Sequence, residues 1–96
     1  MDIPPGLEHL LPQFIAEMIS DGAAVASLAG GDRQLLGERV HGMRGKCAMF
    51  GEGTLFELLS ELEACVPNAS AEEIDAIIRR IQLRVGDLSL IEISAP

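Results

Sequence analysis

The sequence predicts an all-α protein: an antiparallel up-down four-helix bundle with a short N-terminal helical lead-in and an apolar C-terminal tail. Three observations predict it. Apolar residues recur at alternating spacings of three and four along four segments, as amphipathic helices require. The links between those segments, at Gly30-Gly31, Gly51-Glu52-Gly53 and Pro67-Asn68, are so short that each helix must return alongside the last. Hydrophobic residues are 48% of the 96-residue chain but aromatics only 3%, with no Trp or Tyr, so the core is aliphatic. That length builds one core, and the chain reads as a single domain over 1–96.

Met1 to Gly6 is an irregular lead-in, its backbone restricted by Pro4 and Pro5. A first helical region follows from about Leu7 to Ala29, with Leu10, Leu11, Phe14, Ile15, Met18, Val25 and Leu28 in its stripe. Pro12 either ends a short first helix or occupies the first turn of a longer one. Ser20-Asp21-Gly22 is a second candidate break. Asp32 is the expected N-cap of the next helix, which runs to about Phe50 and turns Leu36, Val40, Met43, Cys47 and Phe50 inward. Thr54-x-x-Glu57 has capping-box spacing and is expected to open the third helix, striped by Leu55, Leu58, Leu59, Leu62 and Val66. A second box, Ser70-x-x-Glu73, starts the fourth, whose Ile74, Ile77, Ile78, Ile81 and Val85 face inward until Gly86 stops it. The tail from Leu88 to Ile93 fits a short strand, a helical turn or an extended segment, and its apolar residues offer a dimer contact.

Seven basic residues against 15 acidic give a formal charge of −8, which argues against general nucleic-acid binding, since phosphate contacts need a basic surface. No Lys or Arg precedes Arg33. Arg33, Arg39, Arg44 and Lys46 then cluster in sequence around His41, where an anion would be handled; the alternative is a solvated face of ordinary i, i+4 pairs. Arg79, Arg80 and Arg84 are read as cations near a helix C-terminus. Cys47 and Cys65 fall on apolar faces and are expected as free buried thiols. Metal-ligand spacings, phosphate-cradling glycine loops and local catalytic-triad signatures are missing, so no cofactor and no bound metal are expected. With no signal-like N-terminus and no apolar run near the roughly 20 residues that span a bilayer, a cytoplasmic protein without membrane contact is the expectation.

The segment from His41 to Gly51 concentrates the chemistry. His41 lies about 100° round the helix from Val40, outside the apolar stripe, and shares its side with Gly37, Arg44, Gly45 and Ala48. Each glycine inside a helix costs roughly 1 kcal/mol relative to alanine. Gly37, Gly42 and Gly45 together therefore cost about 3 kcal/mol, a sizeable part of a small domain's 5 to 15. Either they clear a flat approach for a macromolecule to reach His41, or they admit a neighbouring helix or mark a kink.

His41, Met43, Arg44, Gly45 and Gly51 stand in the pattern His-x-(Leu or Met)-(Lys or Arg)-Gly-x-x-x-x-x-Gly, which resembles the phosphorylation-site motif of histidine-containing phosphotransfer (HPt) domains. The match continues through Leu55, Leu58, Leu62 and Glu63, where that family has a helix ending in Leu-Glu, and covers about a third of the chain closely. Gly42 departs from the family, which usually has a better helix former there. The resemblance implies a phosphocarrier without ATP site or cofactor. His41 would accept a phosphoryl group from a receiver-domain aspartyl phosphate and pass it to another receiver. Arg44 would stabilise the phosphoryl group, and Gly37, Gly45 and Ala48 would form the docking surface. The implied partners are response-regulator receivers and a hybrid histidine kinase, with the chain a monomer or a tail-mediated dimer. The sequence does not determine which residue orients the second ring nitrogen; Glu38, one turn back, is the candidate on the same helix. The alternatives are a degenerate HPt-like module that docks such partners without carrying phosphate, and a purely structural bundle that dimerises through its tail.

Overall fold

A computed structural model describes residues 1–94, with side chains as far as Ile91. Among these residues there are four α-helices and no strand: α1 (Leu11–Leu28), α2 (Arg33–Phe50), α3 (Gly53–Cys65) and α4 (Ala71–Ser94), preceded by one 3-10 turn (Glu8–Leu10). The helices pack in a ring, α1 on α2, α2 on α3, α3 on α4 and α4 back on α1. Their inward stripes merge into one aliphatic core, and its two buried rings, Phe14 and Phe50, stack with centroids 4.4 Å apart.

Pro12 stands in the first turn of α1, where its missing N–H has no intrahelical partner to lose. The expected break at Ser20-Asp21-Gly22 does not occur, and α1 runs straight through it. Gly22 faces α4, where an added Cβ would only touch Val85 at 3.8 Å. Asp21 is buried but has two cations, Arg39 Nη1 at 3.2 Å and Lys46 Nζ at 2.8 Å, so its charge is compensated within the helix pair.

Asp32 caps α2 as expected, its Oδ1 accepting from the N–H groups of Gln34 and Leu35. Gly51 ends α2 in the left-handed region at φ 67°. A side chain there would also collide with the Asp2 backbone, whose N–H donates to the Gly51 carbonyl. The third helix opens differently from expectation: Glu52, not Thr54, is its N-cap, with Oε2 accepting from the Leu55 N–H at 2.8 Å. Gly51 reverses the chain at once, so the cap falls one residue later, and Thr54 lies in the first turn. Ser70 does cap α4, its Oγ accepting from the Glu73 N–H.

Gly86 does not stop α4. It keeps helical geometry, and the helix continues because Leu88, two residues on, is fully buried. Burying a leucine contributes about 1.5–3 kcal/mol, more than the roughly 1 kcal/mol a helical glycine costs. The tail is therefore helical as far as Ser94, while Ala95 and Pro96 lie outside the described residues. Arg80 and Arg84 are consequently mid-helix rather than terminal, and each has a carboxylate on another element: Glu61 for Arg80, Glu52 for Arg84.

Candidate functional site

α2 turns Val40, Met43 and Cys47 into the core, which leaves His41 on the outside beside α3, its side chain 75% exposed. The imidazole is held by a residue 22 positions away. Nδ1 lies 2.8 Å from Glu63 Oε2, and the other oxygen of the same carboxylate accepts from Arg44 Nη1 at 2.6 Å. The Arg44 guanidinium lies over the Phe56 ring, 5.0 Å from its centroid, so its position is fixed from two sides.

Hydrogen bonds from His41 first and Arg44 second hold the Glu63 carboxyl below the usual carboxylate range, against the smaller upward push of burial. Glu63 is therefore ionised at neutral pH. An ionised carboxylate can only accept, so Nδ1 carries a proton, and in the neutral imidazole Nε2 is then the nitrogen with the free lone pair. The arrangement presents an exposed nucleophilic nitrogen with its tautomer set from behind and a cation one turn along the helix.

Of the expected docking residues, Gly45 and Ala48 are exposed and Gly37 is half-buried. A Cβ added at Gly45 or Gly42 would meet nothing within 4 Å; at Gly37 it would make ordinary contact with Val66 at 3.9 Å. No close helix approach accounts for these glycines. Replacing Gly45 with Gln should therefore raise stability by up to about 1 kcal/mol, read from denaturant unfolding. Destabilisation would mean the position is tighter than its geometry.

Three expectations are corrected. Glu38 does not orient His41; it is exposed toward α1, along the groove lined by Asp21, Leu35 and Arg39, and Glu63 takes that role. Arg39 and Lys46 do not surround His41, since both reach across to Asp21. Arg33 caps the end of α3, donating to the carbonyls of Val66 at 2.6 Å and Ala69 at 2.9 Å. Only Arg44 of the four shares the histidine's face. Cys65 is half-buried, whereas Cys47 is fully buried near Met18, and burial pushes its thiol up to about 12, so it is no nucleophile. Among the described residues no cluster of three or more His, Cys, Asp or Glu is placed to hold a metal ion, and no helix is long and apolar enough to cross a membrane. Comparison with protein-family models, curated proteins and solved structures gave no match to this chain.

Proposed function

We propose that this chain is a phosphorelay intermediate of the HPt kind, taking a phosphoryl group on His41 from a receiver-domain aspartyl phosphate and passing it to a second receiver. The observation that carries the reading is the His41–Glu63–Arg44 arrangement. Its Nδ1–H is engaged by Glu63, so the Nε2 lone pair attacks phosphorus while the P–O bond to the aspartate breaks and the carboxylate leaves. With Nδ1 still protonated the phosphorylated ring is cationic, and the Glu63 carboxylate stabilises that charge. Arg44 can leave one oxygen of Glu63 and turn toward the incoming phosphoryl charge. Magnesium belongs to the receiver's acidic pocket in this scheme. The open surface of Gly45 and Ala48, with Gly37 half-buried at its edge, admits the receiver.

The reading includes an up-down antiparallel course of the four helices, on the ground that short links return each helix beside the last. It places the chain in the cytoplasm between a hybrid histidine kinase and response regulators. The test is incubation of the full chain with a panel of phosphorylated receivers. Label should pass to the chain in an acid-labile, alkali-stable form, and Arg44→Ala should slow transfer or shorten the phosphohistidine lifetime more than it alters stability, because a half-exposed surface ion pair contributes only about 1 kcal/mol or less. Absence of label from every receiver, with the partners still bound, would favour a docking module that carries no phosphate.

A further inference from the structure

On the outer surface of α4 the residues turned away from the core repeat every seven: Ala76, Leu83 and Leu90, with Arg79 and Gly86 at the intervening positions. Leu83 is 73% exposed and Leu90 62%. This row is bounded on the α3 side by Arg80, which reaches Glu61 only at 3.4 Å, and on the α1 side by Gln82, which lines a shallow groove with Ile19. The spacing is that of the a and d positions of a coiled coil, but the row faces away from the bundle.

We infer that this row is a self-association surface on which a second copy of the chain packs its own α4 antiparallel, placing Leu83 of each copy against Gly86 of the other. Two features select a second copy as the occupant. A Cβ at Gly86 would meet nothing within 4 Å, so the bare glycine leaves a recess for a leucine, and the Leu83–Gly86 pair is reciprocal about a two-fold axis. The flanking charges are self-complementary in that same register. Arg80 and Asp87 lie seven residues apart on the α3 side, and an antiparallel pairing brings like flanks together, so Arg80 of each copy faces Asp87 of the other. Asp87 makes no ion pair among the described residues, acting on Arg84 only through space.

One helix face is smaller than the roughly 800 Å² per partner of a standard interface, so the association is weak, with a dissociation constant between about 10 µM and 1 mM. Among the described residues α4 packs along α1 and α3 but not along α2, which carries His41, so the outward row lies away from the histidine's helix and the inference stands apart from the phosphocarrier reading.

The test is sedimentation equilibrium of the full chain up to about 1 mM, with circular dichroism of each variant to verify that helicity persists. The parent should show a monomer–dimer equilibrium, and Leu83→Glu a monomer. Arg80→Asp and Asp87→Arg should each be monomeric, because each sets like charges opposite one another. An equimolar mixture of those two variants should dimerise, because only the mixed pair restores both contacts. Gly86→Leu should weaken the dimer while raising the melting temperature, through filling of the recess and better helix propensity. A parent that stays monomeric throughout, a Leu83→Glu protein that still dimerises, or a mixture that fails to associate overturns the inference.

Discussion

His41→Gln should accept no label from a phosphorylated receiver, a complete loss rather than a graded one, with helicity and unfolding midpoint close to those of the parent. The imidazole is three-quarters exposed and its partner Glu63 keeps Arg44 at 2.6 Å, so the substitution opens no cavity and leaves no buried charge unpaired. Retained label would move the acceptor elsewhere, His9 being the only other histidine. Glu63→Gln separates the nucleophile from the group that prepares it. The amide can turn either its oxygen or its NH2 toward Nδ1, so the ring is no longer confined to the tautomer with a free Nε2, and the cationic phosphohistidine loses its counter-charge. Transfer should slow by about 10²-fold or more, measured as initial label transfer at fixed receiver concentration. An unchanged rate would reduce Glu63 to a surface salt bridge.

The parts of the site carried by one helix were readable from its period. His41, Arg44, Gly45 and Ala48 share a side of α2 because 3.6 residues per turn puts them there. The same arithmetic places Arg39 about 200° and Lys46 about 140° from His41, so their nearness in sequence was misleading, and their real partner, Asp21, sits in a stretch that resembled a helix break. Glu63 was visible only as the end of a motif. Nothing local marks a carboxylate 22 residues away as the partner of an imidazole, whereas Glu38 on the same helix was the nearest acid in sequence. At the helix ends, two caps competed at the α2–α3 link, and the left-handed Gly51 decided for Glu52. Gly86 carried the stop signal of a C-cap, but burial of Leu88 outweighed it.

Arg84→Met should have the largest effect on stability. Glu52 is 1% exposed at the junction of α2 and α3, and Arg84 from α4 holds both of its oxygens, Nη2 to Oε1 at 2.6 Å and Nε to Oε2 at 3.2 Å. Burial is the strongest influence on the Glu52 carboxyl and pushes it up. The Arg84 hydrogen bonds and charge, with the Leu55 N–H, together outweigh burial, and the net direction is down. Removing the arginine leaves a desolvated carboxylate with one hydrogen bond, from the Leu55 N–H, and the weaker through-space pull of the N-terminal ammonium, which costs about 3–5 kcal/mol, a large share of the 5 to 15 available to a domain. The pH dependence should then reverse. In the parent, the folded carboxyl lies below its unfolded value of about 4.3, so the stability from the pair is complete above that value and is lost as pH falls through the lower, folded one. In Arg84→Met burial prevails, the folded carboxyl rises above its unfolded value, and the folded state binds the proton more tightly. Stability of the variant should therefore increase as pH falls from 7 toward 5, while that of the parent stays nearly level over the same range. Urea unfolding of both proteins across that range decides it: a variant that loses stability in parallel with the parent, or loses less than about 1 kcal/mol at pH 7, would mean that the pair is solvated and does not hold the α2–α3 junction to α4.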